Sequence, residues 1–149
     1  MRAVVTRVKS ASVEIGGVTV GEIGQGFLIL LGVAPTDTPA HCAKLADKLL
    51  GLRVFEDEAG KMNRSLEQAG GQVLVVSQFT LYADCRHGRR PSFIGAAAPD
   101  TAIPLYEQFL RECRQRGFEP QHGRFGADML VRSENDGPVT ILLDTDELM

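Results

Sequence analysis

Apolar and polar positions alternate from Ala3 to Ile15 in a stretch rich in β-branched residues, which predicts a half-buried strand. Gly16-Gly17 marks a tight turn, and Val18-Thr19-Val20 returns as the second strand of a hairpin. From Phe27 to Val33 the chain is almost continuously apolar and bounded by glycine and proline, the pattern of a strand buried on both faces. The period then changes. Thr38 stands as a helix N-cap with Pro39 at the first helical position, and Ala43, Ala46, Leu49 and Leu50 recur at steps of three and four. Glu56 to Gly60 reads as a polar turn, and Gln72 to Gln78 as another strand with four consecutive aliphatic residues.

A second helix is predicted from about Thr101 to Arg116. Ala102, Leu105, Tyr106, Phe109 and Cys113 form its apolar stripe, Thr101 its N-cap and Gly117 its stop. On that reading Pro104 falls in the first turn, where its missing N–H costs nothing. Two late strands, Met129 to Glu134 and Val139 to Leu143, flank Asn135-Asp136-Gly137-Pro138, and Asp-Gly between apolar runs is a hairpin signal. The expected architecture is α+β: one domain over 1–149, a mixed or antiparallel barrel-like sheet with two main helices packed on it, and a loose tail at 144–149.

Composition narrows this picture. With 149 residues, 44% apolar and 23% charged, the chain is neither fibrous nor disordered. Its longest apolar run, Phe27 to Leu31, is too short to cross a bilayer, and no signal-peptide pattern opens it, so a cytoplasmic protein with no membrane partner is expected. Cys42, Cys85 and Cys113 are scattered, as are His41, His87 and His122; this spacing suits no zinc site or disulfide framework, and no metal or cofactor is expected. Neither a dinucleotide fingerprint nor a phosphate-binding P-loop motif is present. The net charge of −3 argues against nucleic acid, but it is unevenly spread. Arg86, Arg89 and Arg90 crowd one short segment, and local fields of this kind survive in an acidic protein because screening confines them to about 8–10 Å.

Three segments hold candidate chemistry. Ser77-Gln78-Phe79-Thr80-Leu81-Tyr82-Ala83-Asp84 leaves a buried strand carrying several hydrogen-bonding side chains, as an oxyanion site or a hydroxyl nucleophile would need. Gly123 to Met129 sets Phe125 between an arginine and a glycine, a composition able to stack a nucleobase or simply to fill the core. In the third, Pro138 cannot donate to a ladder and its peptide bond with Gly137 is a candidate for the cis form.

Together these strings resemble the D-aminoacyl-tRNA deacylases, often called D-tyrosyl-tRNA deacylases. The resemblance runs from Met1-Arg2-Ala3-Val4-Val5 through Ser77 to Asp84, Gly88-Arg89-Arg90-Pro91-Ser92-Phe93, Gly123 to Met129 and Asn135 to Thr140. It implies an enzyme that hydrolyses the ester between a D-amino acid and the terminal adenosine of tRNA, clears glycyl-tRNA, and rejects L-aminoacyl-tRNA. It further implies a homodimer in which Gly137-Pro138, braced by Arg7, enters the partner's site as a Gly-cisPro motif. Ser77, Gln78, Phe79 and Thr80 would form the catalytic floor, with backbone N–H groups holding the oxyanion and the terminal 2′-hydroxyl assisting water. Phe125 and Met129 would line the adenosine pocket. Arg86, Arg89 and Arg90 are expected as contacts to tRNA phosphates. Two other readings remain: a small-molecule esterase using Thr80 or a serine as nucleophile, and a non-catalytic module that holds an RNA end.

Overall fold

The computed structural model describes residues 1–149. The first strand organises the rest. β1 (Arg2–Ile15) is paired antiparallel along one edge to β3 (Gly26–Gly32) through its first half and to β2 (Val18–Ile23) through its second. Its other edge is covered by a single long strand, β8 (Leu130–Asp144). Parallel to β3 lies β6 (Gln72–Ser77), and parallel to β6 a short β7 (Gln121–His122). The sheet curls until β2 approaches β7, where the Glu22 N–H donates to Gln121 Oε1 at 3.4 Å. The expected mixed, barrel-like sheet is therefore present and almost closed. Backbone contact is closest at Gly26, where a Cβ would lie 1.9 Å from the Gln72 carbonyl oxygen; only glycine allows β3 and β6 to meet there.

Two cores follow from the curl. Inside it, Val8, Ala11, Val13, Ile23, Leu28, Leu74 and Val76 form a small cluster. On the outer face, residues such as Phe27, Ile29 and Val75 meet α1 (Pro39–Leu50) and α3 (Pro99–Gln115), which contribute Leu45, Leu49, Tyr106 and Phe109. Strand β3 thus serves both cores, which explains why its sequence is apolar at successive positions. Between α1 and β6 the chain adds a small antiparallel pair, β4 (Phe55–Glu56) and β5 (Met62–Arg64), then α2 (Leu66–Ala69). No helix is long and apolar enough to cross a membrane.

Three expectations are corrected. The Asp136-Gly137 signal does not turn a hairpin: both flanking segments belong to β8 and pair with the same strand, in register Thr6↔Thr140 on one side and Val8↔Asn135 on the other. Residues 136–139 are the surplus, pushed out of the ladder as a bulge opposite Arg7, where proline's missing N–H breaks no ladder bond. The second helix starts at Pro99, not after Thr101, so Pro104 lies inside it; Pro99 takes the first-turn position instead. The tail expected to be loose closes into α4 (Thr145–Leu148).

That last helix is tied to the start of the chain. The Met1 ammonium is buried and donates to Asp37 Oδ1 and Thr145 Oγ1, each at 2.8 Å. Asp37 Oδ2 accepts from the Ala34 N–H at 2.7 Å. Removing one partner of a buried ion pair leaves the other charge uncompensated, at about 3–5 kcal/mol. Asp37→Ala is therefore expected to lower unfolding stability by about that amount, read by urea titration, whereas an exposed substitution such as Glu58→Ala should leave the midpoint near wild type.

Candidate functional site

Strand β6 ends at Ser77, and the chain at once enters a 3-10 turn, Phe79–Tyr82. The turn lies across the end of β3: the Gln78 N–H donates to the Leu31 carbonyl at 2.8 Å, and a Cβ at Gly32 would meet the Gln78 carbonyl at 3.1 Å. Arg2 holds it from the other side. Its Nη1 donates to the Leu81 carbonyl at 3.0 Å, its Nε to Asp144 Oδ2 at 2.8 Å, and its guanidinium carbon sits 4.4 Å from the Tyr82 ring centroid. No local sequence signal marks Arg2, whose partners lie 79 and 142 residues away. The first N–H groups of such a turn, those of Phe79 and Thr80, have no acceptor within it, leaving donors at the mouth of the strand.

Facing the turn is the segment between β7 and β8. Ser77, Gln78 and Phe79 share a pocket of about 290 Å³ with Phe125, Met129 and the intervening Gly126, Ala127 and Asp128. Val76 and Val131 complete its wall, a contribution of ordinary core valines that no sequence signal marked. Phe125 is fixed from behind by Tyr106, with ring centroids 6.0 Å apart. Met129 is fixed by close approach to Gly123, where a Cβ would lie within 2.4 Å of its sulfur. Phe79 is half exposed and packs edge-on against Phe93 at 5.1 Å.

Thr80 is exposed beside this pocket, and its hydroxyl accepts from Gln78 Nε2. No histidine, lysine or carboxylate hydrogen-bonds to it. The structure thus brings Ser77, Gln78, Phe79, Phe125 and Met129 together, with Thr80 adjoining.

The remaining predicted residues lie elsewhere. Gly137 and Pro138, joined by a cis peptide bond, are exposed on the β8 bulge and do not line this pocket. Arg7 is buried beneath the bulge, its Nε donating to the Asp136 carbonyl at 2.9 Å and its Nη1 to the Val54 carbonyl at 2.5 Å. Arg86 is engaged by Asp84 through two side-chain bonds of 2.9 and 2.7 Å; this pairing holds the Asp84 carboxyl down at about 2. Arg89 and Arg90 are exposed in the same loop.

Burial pushes the Cys42 and Cys113 thiols up to about 12, so both stay protonated and unreactive at neutral pH. No three His, Cys, Asp or Glu side chains converge on a common point that could hold a metal ion.

Residues 4–144 match the family model for D-Tyr-tRNA(Tyr) deacylase. The chain belongs to that family. D-aminoacyl-tRNA deacylases from Thermus aquaticus and Desulfatibacillum aliphaticivorans are 57% and 56% identical to it, over 147 and 145 residues. The alignments cover 99% and 97% of this chain and 97% and 99% of the relatives. Two solved structures superpose closely. One, a c-Myc DNA Unwinding Element Binding Protein, has a TM-score of 0.91 at 41% identity, covering 97% of this chain and 98% of the other. The second, a probable eukaryotic D-amino acid tRNA deacylase, has a TM-score of 0.83 at 20% identity, covering 95% and 97%, and speaks to the fold alone. The deacylase is thus a hydrolase of the aminoacyl-tRNA ester, and the non-catalytic reading of the sequence falls away.

Proposed function

We propose that this deacylase acts as a homodimer on the 3′ end of aminoacylated tRNA, with the adenosine seated between Phe125 and Met129 and the ester over Ser77, Gln78, Phe79 and Thr80. The meeting of these two segments in one pocket carries the reading. Backbone N–H groups at Phe79 and Thr80 hold the ester carbonyl as it becomes an oxyanion, and the terminal 2′-hydroxyl orients the attacking water. Donors already fixed where charge develops need little reorganisation during reaction, which makes them effective on an activated ester.

Chirality is assigned to Gly137 and Pro138 of a second copy of the chain. Both are exposed on a bulge standing clear of the pocket, as a segment lent to a neighbour must be. Its carbonyls take the substrate's α-amino group, and an L-side chain then meets backbone, which cannot retreat by changing rotamer. Glycine lacks the offending group, so glycyl-tRNA passes the same filter. A two-fold dimer places two such sites.

The test is deacylation of matched D- and L-tyrosyl-tRNA by wild type and by Thr80→Ala, with chelator present. Rapid loss of the D-ester beside an intact L-ester is expected. Because no base contacts the Thr80 hydroxyl, Thr80→Ala should retain turnover within about tenfold of wild type, less than the 10²–10⁴-fold typical of losing general-base assistance. A trapped acyl-enzyme, with turnover abolished in Thr80→Ala, would install the nucleophilic esterase reading instead. Equal rates on both esters would remove the chiral filter.

A further inference from the structure

Phe125 borders two cavities. Beyond the pocket it shares with Ser77 and Met129, it helps line a groove of about 430 Å³ between α3 and the segment 122–125. Ile103, Tyr106 and Leu110 supply the apolar part of that groove, and Arg111, Arg114, His122 and Arg124 the polar part; Glu107 is the one acid.

Arg111 and Arg114 are three residues apart on α3, hence neighbours on one helix face. Both are exposed, as is Arg124. Their charges are only partly answered. Arg114 pairs with Glu119 at 3.0 Å, but Arg111 donates to the neutral side-chain Oε1 of Gln108, at 3.2 Å from Nε and 2.7 Å from Nη2, and the Arg124 side chain makes no hydrogen bond or ion pair. In a chain of net charge −3, the unpaired Arg124 side chain and an Arg111 in no direct ion pair, with Arg114 beside them and one acid, Glu107, in the lining, make a locally cationic site beside an aromatic edge.

We propose that this groove binds the phosphodiester backbone of the single-stranded 3′ end just upstream of the terminal adenosine, with Phe125 as the divider between terminal nucleotide and approaching strand. The proposal rests on the reading that the pocket of Ser77 and Met129 receives that adenosine. The groove adjoins that pocket across Phe125, so a strand whose last nucleotide fills the pocket finds a cationic path immediately beside it. Guanidinium forks suit phosphate oxygens, and the apolar floor suits sequence-tolerant contact with bases. The groove is proposed beside the expected contacts of Arg86, Arg89 and Arg90, of which Arg86 is engaged by Asp84.

The experiment compares two substrates, D-tyrosyl-tRNA and the minimal 3′-D-tyrosyl-adenosine, in wild type and Arg111→Glu/Arg124→Glu. The ratio of kcat/KM on tRNA to that on the minimal ester is expected to fall at least tenfold. Arg111→Gln/Arg124→Gln, which avoids charge reversal, should shift it in the same direction by less. With two phosphate contacts gone, log kcat/KM on tRNA should fall with log salt less steeply, by roughly 1.4 in slope. A ratio within twofold of wild type, or an equal fall on both substrates, overturns the proposal while leaving the deacylase reading intact. If wild type hydrolyses neither substrate, that reading is what fails. Fluorescence anisotropy with an uncharged CCA-ended minihelix then decides the groove: at least fivefold weaker binding by Arg111→Glu/Arg124→Glu sustains it, and an unchanged Kd overturns it.

Discussion

Gly137→Ala should reduce the preference for D- over L-tyrosyl-tRNA, measured as the ratio of kcat/KM values, by at least tenfold. The residue sits at φ +142°, a backbone conformation that L side chains rarely adopt. A Cβ there would lie 2.8 Å from the Val139 nitrogen, 2.7 Å from Val139 Cγ2 and 3.2 Å from Arg7 Nη2. The first of these neighbours is backbone, so the bulge itself has to shift. A filter that works by placing two carbonyls and one wall of backbone loses its geometry when that backbone shifts, and a tenfold loss needs only about 1.4 kcal/mol. Stability should suffer less than selectivity, because residues 136–139 stand outside the ladder between β8 and β1. Thermal unfolding of the same variant checks this. A preserved D/L ratio would show that the bulge takes no part in chirality.

The bulge also shows where sequence reasoning stops. Asp136-Gly137 is a sound local turn signal, but what decides its geometry is a partner some 130 positions away: β1 is long enough to pair on both sides of it, so the chain continues in one direction. The same distinction runs through the molecule. The β1–β2 hairpin and α1 were legible because their determinants are local: Gly16-Gly17 adopts positive φ, and Pro39 opens the helix after Thr38. The start of α3 is not legible locally, because two prolines compete for the first-turn position and Thr101 imitates a cap. At the site, Ser77 to Thr80 and Phe125 to Met129 could each be singled out as unusual strings, and the family resemblance joined them. The groove could not be read at all. Arg111, Arg114 and Arg124 come from a helix face and a loop far apart in the chain, whereas Arg86, Arg89 and Arg90 stand out in the sequence because they are adjacent.

Arg7→Ala and Arg7→Lys should separate holding the fold from aiming the bulge. Arg7 is the buried cation of β1, and its guanidinium spans two carbonyls that share no element, Val54 before β4 and Asp136 in β8. Its charge is answered in part by Asp136 Oδ2, 3.8 Å from Nε. Truncation to alanine strips both carbonyls of their donor, and hydrogen bonds from a charged group are worth about 1.5–3 kcal/mol each. A stability loss of about 3 kcal/mol or more is therefore expected, together with a lower D/L ratio. Lysine keeps the charge and most of the stem, but one ammonium cannot reproduce a planar fork reaching two carbonyls in different directions. Arg7→Lys should accordingly recover part of the lost stability while leaving the D/L ratio depressed by at least fivefold. That divergence is the signature of a positioning residue. Were both quantities to recover together in Arg7→Lys, or the ratio to stay at wild-type level in Arg7→Ala while stability falls, Arg7 would be a structural cation only, and the bulge would owe its orientation to the β1–β8 ladder on either side of it.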